Sequence, residues 1–223
     1  MLVHFPLDIN KWAFIIRMFV DEIFMIAATS PGKEKSAMHE APSARNVVLS
    51  VAVSLDGYIA RADGGVDWLR EPRFIDPAIN FAELTRPFDV VLAGRKTLDV
   101  DKMKGGGGMG KMACYIFSRT KPPGKRKGAE YVNTPPEELI RELKAKPGKD
   151  LWLMGGGELA REFLREDLVD RMDLALIPVL LGEGVPLFPA GFPQRAWTLA
   201  SHRIYPSGIV SLNYARSREE ENR

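Results

Sequence analysis

Three clusters of small, polar or basic residues carry most of the chemistry this sequence can offer, and each follows a short apolar run. They are Asp56-Gly57, Gly94-Arg95-Lys96-Thr97 and Gly155-Gly156-Gly157. Where a glycine turn opens a helix, missing side chains let backbone N–H groups approach a phosphate, and the helix dipole adds attraction. Gly94–Thr97 repeats that arrangement and adds two cations and a hydroxyl; Ser118-Arg119-Thr120, after another apolar run, offers one cation more. Two anion sites on one sheet suit the pyrophosphate of a dinucleotide and a further phosphate. Taken singly, each cluster is also what a plain turn looks like, and GRKT is neither a Walker A loop nor a GxGxxG fingerprint. Their order and shared position at strand ends give them weight, because ligands of open α/β sheets bind beyond the carboxyl ends of the strands.

Those positions require particular elements. Asn46–Ala60 reads as a buried strand running into a loop at Asp56-Gly57. Pro77–Arg86 reads as a helix with Asp76 as N-cap, and Phe88–Ala93 as a second strand leading into a short helix at Gly94–Thr97. Ala113–Ser118 is a third strand, Glu130–Val132 a fourth, and Pro136–Ala145 a helix with Thr134 as cap and Glu137 as its capping-box partner. Asp150–Met154 is a strand before the glycine turn, Glu158–Glu166 a helix, Arg171–Leu181 a long strand, and Ile204–Ala215 a hairpin around Pro206-Ser207-Gly208. Lys104–Gly110 and the basic Lys121–Lys127 are expected as loops. Strands alternating with helices predict an α/β fold with a mostly parallel central sheet; the last strands, lacking a helix between them, predict an antiparallel C-terminal edge.

Composition narrows the function. The 223 residues carry a net charge of +2, which does not favour nucleic acid as a partner. One cysteine, Cys114, excludes an intrachain disulfide, and three scattered histidines show no metal-ligand spacing, so a reducing cytoplasmic setting without a metal is expected. Cys114 lies mid-strand and reads as a buried, inert thiol. Residues 1–45 read as an extension to a body at 46–216, followed by a charged tail at 217–223. Within the extension, Trp12–Ala28 reads as an amphipathic helix packing on the body or on a second subunit, with a start at Met38 and a membrane-surface anchor as alternatives. Its Arg17, Asp21 and Glu22 disfavour a membrane span.

Together the motifs resemble a known family. Val51–Ala60 (VAVSLDGYIA), Asp63–Trp68 (DGGVDW), Val90–Thr97 (VVLAGRKT), Ile116–Thr120 (IFSRT), Leu151–Ala160 (LWLMGGGELA) and Ile177–Phe188 (IPVLLGEGVPLF) resemble the dihydrofolate reductase-like fold. More specifically, they resemble the reductase domain of the bifunctional riboflavin-biosynthesis deaminase-reductase and its stand-alone relatives. The resemblance implies helices on both faces of the sheet, a nicotinamide cofactor, normally NADPH, and a pyrimidine- or pterin-like substrate; a homodimer is expected. It matches Ala52 and Ile59 to backbone that holds the nicotinamide carboxamide, and Gly94, Arg95, Lys96 and Thr97 to the phosphate-gripping helix start. Ser118 and Arg119 match the segment at the adenosine 2′-phosphate, and Gly155, Gly156 and Gly157 the turn at the pyrophosphate. It also places the Leu181–Gly184 turn near the substrate.

The substrate side departs from the pattern. Asp67 precedes Trp68 where dihydrofolate reductases carry a Pro-Trp pair, and Arg73 falls near the expected acid, which disfavours folate. Asp89 and Thr97 fit the riboflavin-type pattern, but Asp101-Lys102-Met103-Lys104 replaces its end. Asp56, Asp67, Asp99 and Asp101 are the acidic candidates. Asp67, with Trp68 as a desolvating wall, is expected to assist protonation, Asp56 is its rival, and Trp68 and Asp101 are expected at the substrate. The competing reading is a non-catalytic nucleotide-binding or regulatory module that keeps the cofactor pocket.

Overall fold

The structure, a computed structural model, describes residues 45–98 and 110–217. The extension before Arg45, the Gly-rich segment up to Met109 and the tail after Ser217 lie outside these residues, and with them Asp99 and Asp101.

The chain opens with β1 (Val47–Ser54), an almost uninterrupted apolar run suited to a strand covered on both faces. It turns at Asp56-Gly57 into β2 (Tyr58–Ala60) and continues through two 3₁₀ turns, Asp67–Arg70 and Pro72–Phe74. Then come α1 (Phe81–Thr85), β3 (Phe88–Gly94), β4 (Ala113–Phe117), β5 (Gly124–Arg126) and β6 (Ala129–Val132). The order continues with α2 (Pro136–Lys144), β7 (Asp150–Gly155), α3 (Gly157–Arg165), β8 (Arg171–Ile177) and β9 (Val185–Pro186), and ends with β10 (Trp197–Ile204) and β11 (Val210–Arg216).

The main sheet runs β10-β11-β8-β1-β7-β3-β4-β6-β5, and β2 pairs with β9 in a small second sheet. From β8 to β6 neighbouring strands are parallel, while β10, β11 and β8 form the expected antiparallel edge. Alternate residues of the central strands face two cores. Val47, Leu49, Leu92, Leu151 and Leu153 pack with Leu139 and Leu143 of α2 and Phe163 of α3. Val48, Val91, Cys114, Ile116 and Trp152 face the other way, where Phe81 of α1 and Leu98 cover them. Trp68 and Phe74 of the 3₁₀ turns pack on Ile177, Tyr205 and Ile209 in a third cluster. Helices therefore cover both faces.

Several expectations at element ends are corrected. The helix predicted over Pro77–Arg86 is only α1, capped by Asn80, whose Oδ1 accepts from Ala82 N at 3.0 Å and Glu83 N at 3.4 Å. Asp76 instead closes a turn on Ala78 N (2.9 Å), and its other oxygen accepts from Ser207 N of the distant hairpin (3.0 Å). That long-range tie holds the chain out of helix until Asn80. At α2 the N-cap is Pro135, not Thr134, with no side-chain cap bond. A residue before proline avoids the helical region, so Pro135 stays extended (ψ 138°) and Pro136 becomes the first helical residue. The basic loop contains β5, which pairs antiparallel with β6 through Lys127 (φ 47°) and Gly128 (φ 84°); this double left-handed turn suits a tight hairpin. The strand expected to reach Leu181 stops at Ile177, before Pro178, which has no N–H for a ladder. The closing hairpin is longer than expected, since its first strand begins at Trp197.

Candidate cofactor and active site

Of the central strands, β3 stays paired with β7 and β4 to the carboxyl ends, but β1 and β7 do not stay paired with each other. Pairing between β1 and β7 covers Val47–Leu49 with Leu151–Leu153 only, although β1 runs to Ser54 and stays paired with β8 as far as Ser54–Ile177. The sheet therefore splays between β1 and β7. Where the ladder stops, the indole Nε1–H of Trp152 donates to Ser50 O at 2.9 Å. Trp152 is itself wedged beside Phe81 and Phe88, with ring centroids 6.0 and 5.8 Å away. Ala52, on the β1 wall of this notch, is paired with Ala175 of β8; Ile59 of β2 is half-buried against the α2–α3 core.

Three strand ends meet beside the notch. At the end of β3, Thr97 N and Leu98 N donate to Gly94 O (2.8 and 2.9 Å), making one helical turn anchored by the fully buried Leu98. Arg95 N is bonded across to Phe117 O of β4 at 3.0 Å. Thr97 Oγ1 accepts from Gly156 N at 2.9 Å, stitching this turn to the glycine turn after β7. Each glycine there has its own reason. Gly155 has φ +90°, a Cβ on Gly156 would stand 2.8 Å from Thr97 Oγ1, and a Cβ on Gly157 would collide with Pro186 O of β9. The triplet is thus a close-packed junction of β7, the β3 turn and β9.

At the end of β4, Ser118 is buried and its Oγ accepts from Thr120 N (3.3 Å) and Lys121 N (2.9 Å). Ser118 shapes the turn, and Arg119 projects from it into solvent, 87% exposed. Lys96 and Arg119 converge on one carboxylate that sequence reasoning did not single out. Glu158, on the first turn of α3, accepts from Lys96 Nζ at 3.1 Å through Oε1, and its Oε2 lies 3.6 Å from Arg119 Nη2. The Lys96 hydrogen bond, reinforced by the charges of Lys96 and Arg119, holds Glu158 below the usual carboxylate range. An acid after a glycine turn reads in sequence only as a first-turn residue facing the helix dipole.

The two acidic candidates near β1 differ in what they hold. Asp56 Oδ1 accepts from Ser54 Oγ at 2.6 Å, and Oδ2 accepts from Leu181 N (2.9 Å) and Gly182 N (2.7 Å). Asp56 thereby pins the loop after β8 to the turn after β1. The Ser54 hydroxyl, with the two loop amides, lowers its pKa. Asp67 opens the first 3₁₀ turn and takes Arg61 Nε on both oxygens, at 3.0 and 3.2 Å. Its side chain is 64% exposed and Trp68 is completely buried, so the desolvating wall expected for Asp67 is absent and Trp68 offers no surface to a substrate. Asp89 lies at the opposite end of the sheet, paired with the buried Arg45. Among the described residues there is no group of three or more metal-ligating side chains, and no helix is long and apolar enough to cross a membrane.

These residues fit a nicotinamide dinucleotide. A glycine turn opening a helix, a hydroxyl-bearing turn stitched to it, and the cations Lys96, Arg95 and Arg119 lie at adjoining strand ends, next to where the β1–β7 ladder ends. A match to the RibD C-terminal domain family model spans residues 45–211. The chain belongs to this family. It is 34% identical over 185 residues to the uncharacterized Bacillus subtilis protein YyaP, covering 76% of this chain and 94% of that one. A crystal structure of a protein assigned provisionally to riboflavin biosynthesis, from Shewanella sp. PV-4, superposes with TM-score 0.65 at 30% identity, covering 78% of this chain and 99% of that one. The Thermotoga maritima diaminohydroxyphosphoribosylaminopyrimidine deaminase/5-amino-6-(5-phosphoribosylamino)uracil reductase shares the fold at TM-score 0.56 and 17% identity, over 78% of this chain and 57% of that one. The RibD C-terminal domain is a riboflavin-type, reductase-like domain of dihydrofolate reductase-like fold, as the motifs implied, and the membership points to an oxidoreductase.

Proposed function

We propose that this RibD-type domain is an NADPH-dependent reductase of a small pyrimidine- or pterin-like heterocycle, similar in reaction to the uracil reductase named for the Thermotoga protein. The observation that carries the reading is the stitched pair of strand-end turns: Thr97 joined to Gly156 beside the β1–β7 notch, with Lys96 and Arg119 on its rim. When bound, the reduced nicotinamide supplies a hydride, chemistry that asks the protein mainly for position. On this reading Gly94–Thr97 and Gly155–Gly157 hold the phosphates, Ser118 shapes the turn that presents Arg119 to the adenosine end, and backbone at Ala52 and Ile59 orients the nicotinamide. Asp67 is the carboxyl proposed to assist protonation of the substrate. Asp56 suits that role less, because Ser54 Oγ and the amides of Leu181 and Gly182 occupy both its oxygens in a structural clamp, whereas the Asp67 carboxyl is exposed.

The test pairs binding with turnover. NADPH should bind the purified protein and be oxidised in the presence of a member of a panel of aminopyrimidines and pterins. Gly156→Val should weaken NADPH binding at least about tenfold by driving a branched side chain into Thr97 and the phosphate approach, while circular dichroism stays native. A folded Gly156→Val protein with wild-type NADPH affinity would remove the glycine turn from the site. Binding of NADPH without turnover on any of the panel would favour the non-catalytic module.

A further inference from the structure

We infer that Glu158 sets the choice between the 2′-phosphorylated and the unphosphorylated nicotinamide dinucleotide, acting as a built-in counter-anion that the extra phosphate has to displace. The inference rests on the cofactor reading above and adds to it a residue that opposes the preferred ligand.

The geometry is specific. Lys96 follows β3, Arg119 follows β4 and Glu158 follows β7, and these strands are neighbours in the order β7-β3-β4. One carboxylate therefore spans three strand ends, with Oε1 on Lys96 (3.1 Å) and Oε2 facing Arg119 (3.6 Å). Two oxygens of one anion divided between two cations is what a phosphate placed there would also require. The cations are 78% and 87% exposed and Glu158 is 56% exposed, so solvent screens the pairs and they contribute little to stability. An arrangement that does little for the fold is free to act on a ligand.

The energetic consequence has a definite sign. With Glu158 ionised, the Lys96–Glu158–Arg119 group carries a net charge of +1, from two cations and one anion. A 2′-phosphate gains the two cations only by pushing the carboxylate aside, and it meets like-charge repulsion while doing so. A ribose that keeps its free 2′-hydroxyl meets no such repulsion, and a carboxylate beside it can accept its hydrogen bond, as acidic residues do in other dinucleotide sites. Neutralising Glu158 without changing its shape removes the counter-anion and leaves both cations for the phosphate.

The experiment measures dissociation constants of NADPH and NADH for the full chain and for Glu158→Gln, at low and at high salt. Glu158→Gln should tighten NADPH binding about tenfold or more at low salt and leave NADH unchanged or weaker, so that the NADPH:NADH affinity ratio rises. High salt should shrink that gain, since exposed charges are screened. The melting temperature should hardly move, and Glu158→Ala should shift the ratio in the same direction. If the wild type binds both cofactors and Glu158→Gln leaves their ratio unchanged, the inference fails and the cofactor reading stands. A drop in NADPH affinity would show that Glu158 positions the cations, which also overturns the inference. If the wild type binds neither dinucleotide, the reductase reading fails and takes the inference with it.

Discussion

Two aspartates beside the first strand are alike in type and separated by their partners. Asp56 spends both oxygens on Ser54, Leu181 and Gly182, whereas the Asp67 side chain, paired with Arg61, stays exposed. A carboxyl that assists proton transfer has to remain reachable, and this geometry keeps Asp67 ahead of Asp56. Asp67→Asn is expected to retain NADPH binding and to lower turnover by roughly 10²–10⁴-fold, with a smaller loss at low pH if solvent donates the proton. Near-normal turnover across pH, measured once a substrate is found, would remove Asp67 from the chemistry. Cys114 gives an independent check on burial. It is 3% exposed, and burial pushes its thiol up to about 12. The native protein should therefore resist a thiol-disulfide probe at neutral pH and react fully once unfolded; rapid reaction in the native state would contradict the packing around β4.

At the scale of elements, Asp56 is a clamp between two loops. Its pKa is lowered in the folded protein, chiefly by the Ser54 hydroxyl, from an ordinary value of 3.8. A group with a depressed folded pKa adds stability that is full above its unfolded pKa and disappears as pH falls through the folded value. Asp56→Ala should accordingly melt at a lower temperature than wild type near neutral pH, and the two melting curves should converge as pH drops below about 4. A gap that persists unchanged in acid would mean that Asp56 holds the loops by packing alone. The same element explains what the sequence could and could not reveal. The apolar runs of β1, β3 and β7 were readable because central parallel strands are apolar on both faces. The glycine triplet was readable as a turn, but its crowding against Thr97 and Pro186 depends on strand neighbours that no local pattern encodes. The start of α1 was misplaced because Asp76 answers to Ser207, 131 residues away. The Lys96–Glu158–Arg119 group was hidden for the same reason, since its members come from three separate strand ends.

Across the whole molecule the two ends of the parallel sheet do different work. The candidate site occupies the carboxyl ends, and the amino ends are tied by buried and half-buried charges. Arg45, expected in a linker, is 6% exposed and belongs to the body. Its guanidinium pairs with Asp89 and donates to Lys149 O (2.6 Å) and Leu143 O (3.1 Å), joining the starts of β1 and β3 to the end of α2. Asp89 also accepts from Lys149 N at 3.0 Å. Beside this group, Asp170 accepts from Val47 N (2.8 Å), Lys144 (2.5 Å) and Arg216 (2.9 Å), tying β1, α2 and β11 at the same end. Because the two ends are separated by the length of the strands, a change at Arg45 should cost stability without touching ligand affinity. Arg45→Ala removes the pair and two carbonyl bonds and leaves Asp89 short of a partner; since the Asp89 side chain is 38% exposed, water replaces part of what is lost. The expected destabilisation is about 2–3 kcal/mol, a fall in melting temperature of roughly 5–10 °C. The folded fraction should bind NADPH with wild-type affinity, in contrast to Gly156→Val, which should weaken binding far more than it lowers the melting temperature. Denaturant curves and dinucleotide titrations on the two variants read both quantities side by side. If Arg45→Ala weakened NADPH binding as much as Gly156→Val does, the amino end of the sheet would be coupled to the site and the division of labour between its ends would be wrong.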